Sequence, residues 1–290
     1  MSKTDKSAAV ANPTLPLFYR SIEMLHSTAH AGWRLKDGDA SFAAQAAFVP
    51  IVASEIAAAA RNYPVVFAGD NAQPLAIVGF EERNLFVADG LWERDTYVPA
   101  YVRRYPFVFV LTGTPEGSAL AIDSGSDRIA RAGEDGVALF EDGNPSALTK
   151  QALEFCAAFG RDAELTALFT AALTEKELLI DRRADATLPD GRKLGIDGFQ
   201  IVDGEKFAAL DDATIAAWHR QGILPLVHHH LASLDRFRAL LDRQAALVAV
   251  AQSSSTDAVE APAAESPADS PLPAEPAADV PAREAKTKKA

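Results

Sequence analysis

Arg103 and Arg104 stand together between Tyr101 and the Tyr105-Pro106 pair, with Trp92 a short way upstream. Arginine and aromatic side chains are enriched at recognition surfaces, because a planar guanidinium can stack on a ring or hold a carboxylate in a fork. The aromatic and β-branched residues around the pair predict a strand, in which the two guanidinium groups point to opposite faces. Two uses are open. One is a structural ion pair with Glu93 or Asp95. The other is a site for a ligand or partner built from Trp92, Tyr101, Arg103, Arg104 and Tyr105. The inward arginine is expected to find a carboxylate or carbonyl partner, since an unpaired buried charge is costly.

His26 and His30 are four residues apart, which places both imidazoles on one face of a helix. Zinc needs at least one further ligand, and neither HExxH nor CxxC is present, so no metal site is expected. His30 reads as a hydrogen-bonded histidine beside Trp33, and as a weaker candidate for binding. In His228-His229-His230, neighbours on a helix point about 100° apart and cannot converge on one ion. One should face the core and two the solvent. Cys156, the single cysteine, lies among Leu153, Phe155 and Phe159 and reads as a buried inert thiol. No phosphate-binding GxxxxGK[ST], dinucleotide GxGxxG or GxSxG elbow occurs, so no cofactor and no catalytic residue can be nominated.

The elements that position these residues begin with the block Tyr63 to Val110. Val65–Ala68, Leu75–Phe80, Leu85–Ala88 and Phe107–Leu111 read as strands punctuated by Gly69-Asp70-Asn71 and Asp89-Gly90. Their close spacing predicts antiparallel hairpins. Phe48–Val52, Ala119–Asp123 and Val137–Phe140 add shorter strands, and Ser54 can cap a helix over 55–62. The second half turns helical. Asn144-Pro145 reads as a cap and first helical position, Gly160 as a break, and Thr174 with Glu177 as a capping box. Pro189-Asp190-Gly191 marks a hairpin. Asp211 and Gly222 bound one helix, and Pro225 opens the last. The fold class is α+β, with a mostly antiparallel sheet in the first half and helices plus a β-hairpin in the second. Residues 13–245 form one domain. Residues 1–12 and the aromatic-free, proline-rich stretch 246–290 are expected to be disordered.

The net charge of −12, from 40 acidic and 28 basic residues, argues against a nucleic-acid partner, which requires a dense basic surface. No apolar run approaches the ~20 residues of a membrane helix, and no secretory signal is visible, so a cytoplasmic protein without an integral membrane segment is expected.

Two stretches carry a family resemblance. The first runs from His30-Ala31-Gly32-Trp33-Arg34 through FVPIVASEI and YPVVFAGD to YVPAYVRRYPFVF. The second is TLPDGRKLGIDGFQIVDGEKFAAL followed by HHHLASLDRF. In this order, over roughly 15–243, they resemble the SapC family of bacterial proteins, named after a gene in a surface-array (S-layer) locus. The resemblance implies a role in transport or assembly of surface-layer proteins, with protein partners from such an export pathway. It assigns no catalytic residues. A peptide-transport permease shares the family's name, and the absence of a spanning segment argues against that activity. The leading expectation is a soluble, non-enzymatic accessory or binding protein. The alternative is an enzyme with a small-molecule site near Trp92, Tyr101 and Arg103.

Overall fold

Val65–Ala68 and Gln73–Ile77 pair antiparallel, with Val65 opposite Ala76 and Ala68 opposite Gln73. The turn between them needs left-handed backbone at Gly69 (φ 74°), which glycine adopts without steric cost. These strands are the middle of a five-stranded sheet. Phe48–Pro50 flanks one side, and the hairpin of Leu179–Thr187 and Lys193–Val202 flanks the other. A three-stranded sheet joins Ile22–Met24, Ser118–Asp123 and Phe107–Leu111. The pairings in both sheets are antiparallel. The computed structural model describes residues 15–112, 117–188 and 190–257.

Val65, Val66 and Phe67 are consecutive and all fully buried, so both faces of the central strand are covered. Cover comes partly from helices, which in chain order are α1 (Ile56–Ala59), α2 (Ala100–Arg103), α3 (Ala147–Glu175), α4 (Gly204–Ala208), α5 (Asp212–Gln221), α6 (Ile223–Ser233) and α7 (Arg236–Asp257). Strands dominate early, and helices with one long hairpin dominate late, which is the α+β class the sequence predicts. Asp211 caps α5 by accepting from the Thr214 amide at 2.9 Å, and Gly222 ends it at φ 73°. The hairpin closes at its predicted turn, where Leu188 and Arg192 pair, although Pro189 lies outside the described residues. The large core runs from Tyr19 to Leu240. A smaller cluster gathers Leu35, Phe107, Leu120, Ile122, Leu139, Phe140 and Cys156.

Several local readings need correction. Arg103 and Arg104 do not lie in a strand. Pro99 caps one helical turn, Ala100–Arg103, and Pro106 follows soon after, so the intervening segment has room for a turn only. Gly160 does not break α3, which runs unbroken through it to Glu175. The cap of α3 is Ser146, whose hydroxyl accepts from the Thr149 amide at 3.3 Å. Asn144-Pro145 instead ladders with Phe140–Glu141. Ser54 caps nothing, because Ala53–Glu55 is itself a 3₁₀ turn held by the Glu55 side chain, and α1 ends at Ala59. Thr174 forms no capping box and donates to the Thr170 carbonyl, as mid-helix threonines do. The last helix is two helices: α6 begins at Ile223, before Pro225, and α7 begins at Arg236. His26 and His30 share a single helical turn, closed by the His30 amide on the His26 carbonyl at 3.0 Å.

The chain forms one compact unit through Ala249, and a second unit starts at Val250. α7 carries the chain to Asp257, so residues 246–257 of the stretch expected to be a tail are helical. Residues 1–12 and 258–290 lie outside the described residues.

Candidate functional site

Glu55 is only 5% exposed, and a buried carboxyl group is tolerated only when its oxygens are bonded. Oε2 accepts from the Val52 amide at 3.0 Å. Oε1 accepts from the Ala100 amide at 2.6 Å and the Tyr97 hydroxyl at 2.8 Å. The Tyr97 oxygen in turn accepts from Nη2 of Arg103 at 3.2 Å, and Nε of Arg103 donates to the Val98 carbonyl at 3.0 Å. Acid, phenol and guanidinium thus form one chain. Burial pushes the Tyr97 phenol up to about 12; Glu55 adds to the rise and Arg103 opposes it. Tyr97 therefore stays protonated at neutral pH, and its hydroxyl donates a hydrogen bond to Glu55.

α3 closes the other wall. Thr166 pins it in place: its hydroxyl accepts from the Ala53 amide at 2.7 Å and donates to the Asp162 carbonyl at 2.6 Å. Ser54 donates to Oδ2 of Asp162 at 2.8 Å, and Arg103 lies over the Phe155 ring at 5.3 Å. Glu55, Tyr97, Arg103, Ser54, Phe155 and Asp162 line a notch of about 150 Å³. Among the described residues, Nη1 of Arg103 and Oδ1 of Asp162 carry no hydrogen bond.

Ser54 also borders a groove of about 630 Å³ between α3 and α6, lined by Leu165, Leu168, Phe169, Ile223 and Leu226. Leu165 is 58% and Leu168 69% exposed, in a helix whose next turn buries Phe169 and Leu173. The groove continues past Ala172 and Gln221 into a hollow of about 380 Å³ beside Glu175, Lys176 and Trp218. Notch, groove and hollow therefore succeed one another along α3. A separate hollow of about 450 Å³ on the long hairpin is lined by Arg183, Asp185 and Lys193. Its arginine and aspartate already pair at 2.7 Å.

The structure disperses the residues the sequence nominates. Arg103 lines the notch. Arg104 lies behind it, its guanidinium over the rings of Tyr101 (4.2 Å), Phe159 (4.3 Å) and Tyr19 (5.9 Å). The carboxylate or carbonyl partner expected for the inward arginine is replaced by this aromatic cage, and its buried Nε has no hydrogen-bond partner. Neither arginine pairs with Glu93 or Asp95; Glu93 instead holds Arg243 of α7, whose guanidinium covers Phe86 at 4.2 Å. Tyr101 is buried and donates to the Leu17 carbonyl at 3.3 Å. Tyr105 is buried too, stacks on Phe42 and donates to Asp123 at 2.9 Å. Trp92 donates to the Tyr63 hydroxyl at 3.1 Å, and that hydroxyl donates to the Tyr97 carbonyl at 2.5 Å. His30 accepts the His26 amide on Nδ1, faces Glu23 at 3.5 Å and packs its ring against Trp33 at 4.3 Å. Cys156 is buried, and burial pushes its thiol up to about 11.

Glu55, Tyr97, Ser54 and Asp162 were not nominated from sequence. A weak signal existed for Glu55, which stands three residues after Val52 in a capping-box position. None existed for Ser54 with Asp162, because 108 residues separate them.

Fold and site together define an α+β protein whose polar notch opens onto an exposed apolar groove. The chain belongs to the SapC family, whose sequence pattern matches residues 25–240. No curated protein and no solved structure matches it. Among the described residues no helix is long and apolar enough to cross a membrane, and no group of three acidic, histidine or cysteine side chains is placed to hold a metal ion.

Proposed function

We propose that this protein is a non-enzymatic binding protein that holds an apolar stretch of another protein during transport or assembly of surface-layer proteins. The observation that carries the reading is the groove along α3, where Leu165 and Leu168 stand exposed beside an otherwise buried helix face. Contiguous exposed apolar surface of this kind marks interaction sites. Covering one leucine fully is worth about 1.5–3 kcal/mol, so the exposed Leu165 and Leu168, with the half-buried Leu226, supply a useful binding energy. The polar groups of the notch are largely spent on one another, and about 150 Å³ is little room for a substrate. A small-molecule site is the second reading, favoured by the free guanidinium edge of Arg103 beside a shifted phenol.

A photo-crosslinking side chain at position 168, introduced in the native host, tests the first reading. It should trap a surface-layer or other exported protein, and a second change, Leu165→Glu, should reduce the yield severalfold. Crosslinks no different from those at an exposed control position such as Glu205 would refute it.

A further inference from the structure

We infer that the occupant of the α3 cleft is an extended peptide segment with apolar side chains at alternate positions, gripped by its main chain in the notch. This rests on the reading of the cleft as a protein-binding site and names the form the bound segment takes. Three observations carry it.

The first is the pair of unspent groups. Nη1 of Arg103 is a donor and Oδ1 of Asp162 an acceptor, and both residues line the same small notch. A ligand group placed there can accept from one wall and donate to the other. A peptide unit does both, through its C=O and its N–H, and each non-proline residue carries one of each. In a helix those groups are already paired internally, whereas in an extended chain they are free.

The second is electrostatic balance. Arg103 and Asp162 offer one charge of each sign, as do Lys176 and Glu175 at the far end. A neutral dipolar main chain complements such ends better than an anionic or cationic head group does.

The third is length. From Phe155 to Ala172 the cleft follows roughly 26 Å of α3 at 1.5 Å per residue. About eight extended residues at ~3.3 Å each cover that distance. Side chains of an extended segment alternate between faces, so every second one meets Leu165, Leu168 and Leu226 while the others face solvent.

Two blocked, fluorescently labelled octapeptides of identical composition, four leucines and four glutamines, provide the test. One alternates leucine and glutamine; the other places leucine at positions 1, 4, 5 and 8, the helical pattern. Anisotropy titration with the full chain should show the alternating peptide binding at least tenfold more tightly. Leu168→Glu should weaken it at least tenfold. The double change Arg103→Ala with Asp162→Ala should weaken it severalfold, with thermal midpoints checked for every variant. If Leu168→Glu does not fold, Leu165→Ser takes its place.

Tighter binding of the helix-patterned peptide would overturn the inference in favour of an amphipathic helix. Binding that ignores both sets of changes would place the peptide elsewhere and also overturn it. Concentration-dependent self-association abolished by Leu168→Glu, with neither peptide bound, would make a second copy the occupant. Failure of both peptides while the crosslinker at position 168 still traps an exported protein would sink this inference and leave the proposed function standing. Failure of both experiments would remove the two together.

Discussion

The imidazole of His230 joins two strands, Val65–Ala68 and Lys193–Val202, whose backbone register is fixed at the single pair Gln200–Phe67. Nε2 accepts the Val202 amide at 3.0 Å, and Nδ1–H donates to the Val65 carbonyl at 2.9 Å. Only a neutral ring can accept and donate at once. Burial accordingly pushes its pKa down from 6.5 to about 4. The unfolded chain then takes up the proton first as pH falls, so this stability is fully present above about pH 6.5. It is lost progressively down to about pH 4, by roughly 3 kcal/mol in all. Urea midpoints of wild type and His230→Asn, measured between pH 7.5 and 4, should therefore converge as the pH drops. A pH-independent gap would show that His230 does not titrate in this way. Residue spacing alone revealed that one histidine of the run turns inward. It could not reveal which two strands the ring would bridge, because Val65 and Val202 are remote in sequence. The same limit hid the notch. Arg103 could be nominated from the sequence as a candidate for binding, but Glu55 and Asp162, which line the notch with it, come from segments that meet only in the folded chain.

α3 gives the clearest case of an element whose local signals misled. Gly160 reads as a break, yet the helix passes through it because the faces on either side are held independently. Cys156 is buried in the smaller core, while Phe169 and Leu173 are buried in the larger. Tertiary packing thus offsets a propensity cost of about 1 kcal/mol at one glycine. A Cβ built at Gly160 meets nothing within 4 Å. Gly160→Ala should therefore stabilise the protein by about 0.5–1 kcal/mol, raising the thermal midpoint by roughly 1–4 °C. A fall in midpoint would mean that the glycine is needed for a close approach or a bend. Strands fared better than helix ends. Val65–Ala68 and Phe107–Leu111 stand where β-branched and aromatic residues between turn formers place them. The Arg103-Arg104 segment failed because its apolar alternation looks like a strand, while Pro99 and Pro106 leave space for one helical turn.

At the scale of the whole molecule, the question is where the folded unit stops. α7 is part of that unit at its start: Leu240 is 3% exposed, and Arg243 bonds Glu93 and covers Phe86. Beyond Ala251 the sequence holds six prolines and no aromatic residue. Such a composition offers too little apolar area to offset the roughly 1–2 kcal/mol per residue that ordering a backbone costs. We therefore propose that residues 258–290 are dispensable for folding, and two truncations separate this from the alternative. Ending the chain after Asp257 should leave the thermal midpoint within about a degree of the full chain. Ending it after Asp235 removes the Arg243–Glu93 pair and uncovers Phe86 and the Leu240 site. It should cost several kcal/mol, since both apolar cover and a partly buried ion pair are lost. A midpoint several degrees lower for the longer truncation product would show that the terminal segment docks on the folded unit.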